Sequence, residues 1–413
     1  KKHGLDKEPV PTAQKNNIKV AVIGSGPGGL TAAYELGLKG YDVTVFESHP
    51  VAGGMLAVGI PEHRLPKEVL RADIEYIQKT GVNIKTNAAL GKDFTIDDLF
   101  KEGYKAVFIA TGAHKSMKLG IPGEEAEGIF QGMKFLSSVN LGKTVTLGKR
   151  VGVIGGGNSA IDAARVAHRN PETGEVMILY RRTRNEMPAY KDEIDDALDE
   201  GIKIHFLVAP TKVLTDGNKV TGLECIKMEL GEPDESRRRR PVPIKGSEFV
   251  VELDTVISAI GERPDVSFIK DKDELSVTKW DTIVADEETG TTNKEGVFAG
   301  GDVVTGPNSV VKAIAAGKHA ARSIDSYIKG EKIEKEYKLC RPSMYVEPVE
   351  LTEEEIESAK RPEMPKTSLE ERRKNFREVE KTLSEESAVI EAKRCLRCEL
   401  QTLDGKKAIG REK

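Results

Sequence analysis

The chain has 413 residues, 38% of them hydrophobic and 31% charged, with a net charge of −4 and four cysteines. That length accommodates two or three domains with conventional cores, the nearly balanced charge excludes a protein whose whole surface attracts nucleic acid, and so few cysteines exclude a disulfide-built scaffold and point to a reducing, cytoplasmic setting. No run of about 18 apolar residues and no signal-peptide pattern is present, so neither a membrane span nor secretion is expected.

Residues 1–16 are polar, carry two prolines and read as a linker. "KVAVIGSGPGGLTAAYELGLKGYDVTVFE" then runs strand, glycine turn, helix, strand. The near-continuous apolar run KVAVI is what a parallel strand buried on both faces requires. The turn reads Gly24-Ser25-Gly26-Pro27-Gly28-Gly29. In such a GxGxxG turn the first glycine makes the tight bend, the second lets the backbone approach a pyrophosphate, and the third packs helix on strand. Glu47 ends the next strand, about 20 residues on, where a carboxylate can accept from ribose hydroxyls. These features predict a first dinucleotide site.

A second unit, "KRVGVIGGGNSAIDAARVAHRNPETGEVMILYRRT", repeats the order, with Gly155, Gly157 and Ala160 in the glycine positions. The strand-end acid is absent, and Arg181 and Arg182 stand there instead. A guanidinium can pair bidentately with a 2′-phosphate that a carboxylate would repel, so the second nucleotide is expected to be NADP(H), with NAD(H) left open. Two further buried-strand signals, "AVFIATGA" and "DTVISAIGERPD", run into small-residue turns, and "GVFAGGDVVTGPNSVVKAIAAG" leads from strand to helix. There Gly301 allows close backbone approach, Asp302 can accept from hydroxyls, and the helix that starts near Ser309 and Val310 turns its positive end toward a group that becomes anionic, as a reduced flavin does.

"DESRRRRPVPIKG" carries four consecutive arginines between strand-like segments, and reads as a solvated hairpin tip. From residue 331 onward the composition becomes strongly charged and partly helical, as in an extension wrapped on the surface or on a partner. It holds Cys395 and Cys398 in CxxC spacing. Cys225 reads as a core residue, and Cys340 stands alone. The pair leaves three readings open: half of an iron–sulfur site, half of a zinc site, or free thiols. No cysteine falls within residues 17–224, so no dithiol relay is expected there.

The motifs GSGPGGL, "GGMLAVGIPEHRLPK", ATGA, "GGGNSAIDAARVA", "YRRTRNEMPA", "SAIGERPD" and GVFAGGD together resemble the glutamate synthase small (beta) subunit family. That family takes in the large subunit of NADH-dependent ferredoxin:NADP oxidoreductase and the flavin half of dihydropyrimidine dehydrogenase. The resemblance spans residues 17–325. It implies an α/β fold of two Rossmann-like dinucleotide-binding domains plus the charged C-terminal extension. The FAD domain is expected at 17–146 and 262–330, the NAD(P)H domain at 147–261 and the extension at 331–413. The resemblance implies FAD contacts at Gly24, Ser25, Gly26, Pro27, Gly28, Gly29, Glu47, Gly54, Met55, Arg64, Leu90, Thr111, Gly112 and Asp302. It implies NADP contacts at Gly157, Asn158, Ser159, Ala160, Arg181, Arg182, Ala259, Ile260 and Gly261. His63 stands where the family carries an aromatic, and Pro188 where some members carry a further basic residue.

"RRKNFREVEKTLSEESAVIEAKRCLRC" resembles the segment leading into the iron–sulfur domain of that family. On that resemblance Cys395 and Cys398 are two ligands of a 4Fe–4S cluster completed by polypeptide before Lys1 or by a partner subunit. The activity implied is hydride transfer between NADP(H) and FAD, and single-electron transfer to an iron–sulfur partner. The readings set against it are a freestanding NAD(P)H reductase of a small acceptor and a scaffold subunit with structural nucleotides. Neither a nucleic acid nor a membrane is expected among the partners.

Overall fold

The computed structural model describes residues 9, 13–234, 237–269, 275–335, 352–358 and 360–393. The chain begins with β1 (Lys19–Ile23), α1 (Pro27–Leu38) and β2 (Asp42–Phe46), followed by α2 (Met55–Val58), α3 (Lys67–Gln78), β3 (Asn83–Lys85), α4 (Ile96–Lys101), β4 (Ala106–Ile109) and β5 (Lys115–Ser116). Then come β6 (Ile129–Gln131), α5 (Gly132–Asn140), β7 (Arg150–Ile154), α6 (Asn158–His168), β8 (Glu175–Tyr180), α7 (Lys191–Asp199) and β9 (Lys203–Phe206). An antiparallel run follows: β10 (Val208–Asp216), β11 (Lys219–Pro233), β12 (Arg239–Pro243) and β13 (Phe249–Glu252). The chain continues through β14 (Thr255–Ser258), β15 (Glu262–Arg263), β16 (Val297–Ala299), α8 (Asp302–Thr305) and α9 (Val310–Lys329), and then α10 (Glu353–Ser358), α11 (Leu369–Arg372) and α12 (Glu385–Lys393).

Two parallel five-stranded sheets organise the molecule, in the orders β16-β4-β1-β2-β3 and β6-β14-β7-β8-β9. Each is built from the apolar runs that two-sided burial demands. β4 and β14 are buried at every position, and β1, β2 and β7 at all but their first. In the first lobe α1 and α9 cross at close range. A Cβ on Gly317 would sit 2.3 Å from the Gly28 carbonyl oxygen, so the crossing requires glycine there. α9 is closed at both ends, by the Ser309 hydroxyl accepting from the Lys312 N–H and by left-handed Gly330.

The chain passes out of the first lobe through β5 and returns through β15, and these two strands pair antiparallel, Glu262 opposite Ser116 and Arg263 opposite Lys115. The second sheet begins earlier than the sequence suggests. β6 pairs with β14, and Met133, Phe135 and Leu136 of α5 lie in the core of the second sheet, although the expected boundary puts residues 129–140 in the first domain. Three residues of strand carry too little pattern to be read in isolation.

The segment 366–381 lies along the second lobe. Lys366 and Arg372 both reach Asp196 (2.7 and 3.2 Å), Arg373 Nη2 donates to the Glu200 carbonyl (2.6 Å), and Arg169 Nε donates to the Asn375 carbonyl (3.2 Å). At its far end the Val379 N–H donates to the His63 carbonyl of the first lobe (3.0 Å). No helix among the described residues is long and apolar enough to cross a membrane.

Candidate functional site

The four strands β16, β4, β1 and β2 are parallel neighbours, so the loops after them meet at one sheet edge. Those loops carry GGD, ATG, GSGPGG and Glu47. Three of the glycines there do three different things. Gly24 has φ +99°, and a Cβ on it would stand 2.4 Å from the Ala110 carbonyl oxygen. A Cβ on Gly29 would stand 2.0 Å from the Gly24 carbonyl oxygen. A Cβ on Gly26 would meet nothing within 4 Å. The first and third glycines are therefore demanded by the protein itself. The second faces open space at the N-terminus of α1, which carries no side-chain cap and has Pro27 at its first turn.

Ser25 and Glu47 knit this edge together. The Ser25 N–H donates to Glu47 Oε2 at 3.1 Å, and its hydroxyl donates to the same oxygen. That hydroxyl accepts from the Gly53 N–H at 2.9 Å, and Glu47 Oε1 accepts from the His49 N–H at 2.7 Å. Glu47 is only 4% exposed. Gly54 packs directly on Gly26, where a Cβ on it would lie 2.7 Å from the Gly26 Cα, and Met55 opens α2 beside them. Gly28 faces α9, where a Cβ on it would lie 3.1 Å from the Ala313 carbonyl oxygen. Thr111 Oγ1 is buried with no protein partner, and Gly112 follows it with φ +71°. Gly301 caps α8, whose first residue, Asp302, accepts from the Asn308 N–H at 3.2 Å. Burial pushes the Asp302 carboxyl up to about 6. Val310 opens α9 and is partly exposed.

Two further residues expected at this site make other contacts. Leu90 lines a separate cavity of about 190 Å³ with Gly91, Thr95 and Phe268. Arg64 bridges the lobes: its Nη1 reaches both oxygens of Asp162 (2.9 and 2.8 Å) and its Nε reaches Glu193 (2.8 Å). Asp162 is buried on α6, and burial raises its carboxyl to about 6 against the opposing pull of Arg64. Arg64 is thus the outermost member of a network that continues through Arg165 and Arg169 to Glu200, which is fully buried. His63 beside it is buried with both ring nitrogens unpartnered. Burial, with Arg169, Arg165 and Arg64 nearby, holds it well below the ordinary imidazole range and so uncharged.

The second lobe presents a cavity of about 430 Å³. Gly155, Gly157, Ser159, Arg181, Arg182, Ala259, Ile260 and Gly261 all line it. Ala160 is buried beneath, and Asn158 turns its side-chain oxygen to the Tyr190 N–H (3.0 Å). The glycine logic recurs. A Cβ on Gly155 (φ +145°) would stand 2.2 Å from the Ala259 carbonyl oxygen, whereas one on Gly157 has only the Pro188 ring at 3.9 Å. Again it is the middle glycine, at the N-terminus of α6, that faces space.

Two charged lining residues were missed by the sequence reading. Glu262 lines the cavity together with Ser159, and burial raises its carboxyl, with a smaller lowering from Ser159 and a smaller push upward from the charge of Asp302. Arg238, from the arginine run, lines the cavity beside Arg181 and Arg182, so that run is not simply a solvated tip. Among the described residues no group of three His, Cys, Asp or Glu side chains could hold a metal ion. Cys340, Cys395 and Cys398 lie outside the described residues. Cys225 is buried on β11, where burial pushes its thiol up to about 12.

Comparison with known proteins places this arrangement among relatives. The pyridine nucleotide-disulphide oxidoreductase family matches residues 18–317. The chain is 45% identical over 399 residues to the beta subunit of NADP(+)-dependent formate dehydrogenase from Moorella thermoacetica, covering 94% of this chain and 55% of that protein. It is 43% identical over 420 residues to the beta subunit of NADPH-Fe(3+) oxidoreductase from Geobacter sulfurreducens, covering 94% and 62%. It is 37% identical over 337 residues to the small chain of glutamate synthase (NADPH) from Azospirillum brasilense, covering 78% and 69%. The chain thus spans less than two thirds of the first two relatives. Among solved structures, FprA from Mycobacterium tuberculosis in complex with NADPH superposes with a TM-score of 0.65 at 19% identity, over 76% of this chain and 85% of that one. Thioredoxin reductase from Lactococcus lactis does so with a TM-score of 0.59 at 23% identity, over 76% and 100%. These two share its fold.

Proposed function

The chain belongs to the pyridine nucleotide-disulphide oxidoreductase family, on the branch of the glutamate synthase small chains, and from that premise we propose that it is an NADP(H)-dependent flavoprotein oxidoreductase passing electrons between the nicotinamide nucleotide, FAD and an iron–sulfur centre in a larger assembly. The linkage between the two sites carries this reading. Glu262, which lines the second cavity, stands on β15, and β15 pairs with β5 where the chain passes from one lobe to the other.

The residues fit both nucleotides. At the first site the open face of Gly26 and the uncapped N-terminus of α1 offer backbone N–H groups and a positive dipole end to a diphosphate. The unpartnered Thr111 hydroxyl and the Asp302 carboxylate offer an acceptor and donor set for a flavin and its ribityl chain. At the second site Gly157 and the N-terminus of α6 repeat the diphosphate cradle, with arginines at one end and Glu262 at the other. FAD, when bound, accepts a hydride from nicotinamide and releases electrons singly.

The chain's own task is placement. The β5–β15 pair and the Arg64 bridge to Asp162 and Glu193 fix one lobe against the other, and small misplacements of reacting groups are costly in rate. Glu262 and Ser159 line the second cavity together. Within residues 17–224 the disulphide of the family name has no counterpart. No cysteine stands within residues 17–224, and the Cys225 thiol is too basic and too buried to act as a thiolate. On this reading the electrons leave to a one-electron centre, for which Cys395 and Cys398 supply two thiolates and further polypeptide or a partner subunit the remaining ligands. The relatives named as subunits support a multi-subunit setting.

The test is an anaerobic titration of the FAD-loaded chain. Bleaching of the flavin at stoichiometric NADPH, with NADH much weaker, is the expected outcome. A flavin that neither nucleotide reduces would refute the catalytic reading.

A further inference from the structure

The stretch that begins at Gly54 does more than floor the first site. Residues 54–64 run from Gly54, packed on Gly26, to the face that meets the second lobe. Three grips from the second lobe fall on this stretch. Met55 packs on the core of the second sheet. Asn140 of α5 donates from Nδ2 to the Val58 and Ile60 carbonyls at 2.9 and 3.2 Å. Arg64 reaches Asp162 of α6 and Glu193 of α7.

A fourth grip comes from the C-terminal extension. Residues 365–381 form a loop closed on itself. The Lys381 N–H donates to the Pro365 carbonyl at 2.7 Å, the Thr367 N–H to the Val379 carbonyl at 2.9 Å, and the Thr367 hydroxyl to the Glu378 carbonyl at 3.0 Å. Arg372 is buried within it, and its Nε donates to the Thr367 carbonyl at 2.7 Å. One side of the loop is seated on the second lobe, through Lys366 and Arg372 at Asp196, Arg373 at the Glu200 carbonyl and Arg169 at the Asn375 carbonyl. Phe376 packs there on the core of the second sheet. The seat is shaped for the loop: Gly201 has φ +91°, and a Cβ on it would lie 2.5 Å from Arg373 Nη2. The other side meets the first lobe, where the Val379 N–H donates to the His63 carbonyl at 3.0 Å.

These contacts close a ring. The neighbours His63 and Arg64 are held from two directions, Arg64 by the second lobe itself and His63 by a loop anchored on that lobe. The His63 ring is fully buried with both nitrogens unpartnered, and its centroid lies 6.4 Å from that of Phe376. Burying an unpartnered polar group is unfavourable, so the contacts at Asp196, Glu200 and Phe376 must offset it to keep the loop seated. The crossing between the lobes is by contrast two paired residues of β5 and β15, and so short a pair sets no angle by itself.

We propose that residues 365–381 are a positioning clasp, seated on the second lobe through Arg372 and Arg373 and on the first through the Val379 N–H, which fixes the His63–Arg64 pair and with it the angle at which the two sites face each other. The clasp then sets the rate of the two-electron transfer that turns NADPH and FAD into NADP+ and reduced FAD. This rests on the reading of the two sites as nucleotide sites.

The experiment compares the FAD-loaded wild type with Arg372→Gln/Arg373→Gln, which loosens one side of the clasp, and Val379→Pro, which loosens the other. Proline removes the donor to His63 and keeps the carbonyl that Thr367 uses. Arg377→Gln, at an exposed position of the same loop, is the control. Stopped-flow reduction by NADPH gives the saturating rate and the half-saturating concentration. Labelling with diethyl pyrocarbonate, read by peptide mass spectrometry, reports whether His63 has become accessible. Both clasp variants should lose about 10–100-fold in saturating rate, the scale of small misplacements of reacting groups, with the half-saturating concentration unchanged and His63 labelled faster. Arg377→Gln should match the wild type. The two clasp variants act at opposite sides, so either one decides the matter if the other fails to fold. A wild type that NADPH reduces, beside variants that keep its saturating rate or lose only nucleotide affinity, overturns the clasp alone. So does a His63 labelled no faster than in the wild type. A wild-type flavin that NADPH does not reduce overturns the nucleotide reading and the clasp's role with it.

Discussion

Replacing Gly26 with alanine separates folding from cofactor binding. Gly26 has φ −67° and ψ 177°, a conformation that alanine adopts freely, and a Cβ there meets nothing within 4 Å. Alanine is a poorer N-cap than glycine by about 1 kcal/mol, and it restricts the unfolded chain by about 0.4–1 kcal/mol in the opposite sense. The two terms nearly cancel, so the flavin-free variant should melt like the wild type. The methyl group would nevertheless occupy the space a diphosphate needs to reach the backbone of α1. An overpacked contact of this kind costs about 1–3 kcal/mol, which is a loss of FAD affinity of about 5–150-fold. Gly29→Ala should behave oppositely. Its Cβ would lie 2.0 Å from the Gly24 carbonyl oxygen, so α1 must move and the flavin-free chain itself should lose about 1–3 kcal/mol. Thermal melting of the flavin-free proteins and quenching of FAD fluorescence on titration measure the two effects. A Gly26→Ala that binds FAD as tightly as the wild type, or one that destabilises the flavin-free chain as much as Gly29→Ala does, would refute the reasoning.

Other outcomes follow from the same structure. Glu200 is fully buried between Arg165 and Arg169, and Glu200→Gln takes the carboxylate from Arg169 and leaves Arg165 to Glu193 and Asp196 alone. Denaturant melts should show a loss of about 3–5 kcal/mol, and a loss below about 1 kcal/mol would contradict the network's weight. The Glu200 carboxyl sits below its ordinary range because the hydrogen bonds and charges of its two arginines outweigh burial, so its contribution is present above the ordinary glutamate pKa of about 4.3 and is lost as pH falls through the lower folded value. Asp302 behaves in the reverse sense. With its carboxyl raised to about 6 by burial, its part in the stability of the flavin-free chain is fully present below about 3.9 and is lost as pH rises through 6. FAD hydroxyls favour the carboxylate, so FAD affinity should fall as pH drops below about 6, and Asp302→Asn should flatten that profile. An unchanged profile in Asp302→Asn counts against Asp302 as the flavin's acceptor. Arg372→Ala removes one of the two cations that Asp196 holds in segment 366–381. Limited proteolysis should then cut that segment faster than in the wild type while the two sheets stay protected, and an unaltered cleavage rate would show that the segment is held by other contacts.

The two βαβ units were legible because each joins an apolar run buried on both faces to a glycine turn whose spacing has a steric reason. KVAVI with Gly24, Gly26 and Gly29 carries that signal locally, and so does RVGVI with Gly155 and Gly157. The remainder depends on tertiary partners. Arg64 lies in a motif that suggests the flavin, yet its partners Asp162 and Glu193 are distant in sequence and meet it only when the lobes close. Arg238 belongs to a run of four arginines that looks like a solvated tip, and nothing local reveals that Arg182 and Asp234 draw the hairpin over the cavity. Glu262 follows a strand whose end reads as backbone contact alone, and only the fold brings it into the cavity lining with Ser159. Strand β6 is three residues long and gains its identity from β14, which lies more than a hundred residues further along.

The central claim is that nicotinamide and flavin meet directly, without a thiol relay. Stopped-flow reduction of the FAD-loaded chain by NADPH, compared with NADPH deuterated at the transferred C4 position, tests it most directly. The account predicts flavin bleaching in a single phase, slowed by a primary isotope effect and unaffected by prior alkylation of the cysteines. Bleaching that alkylation abolishes, or that shows no isotope effect under conditions where transfer limits the rate, would contradict it.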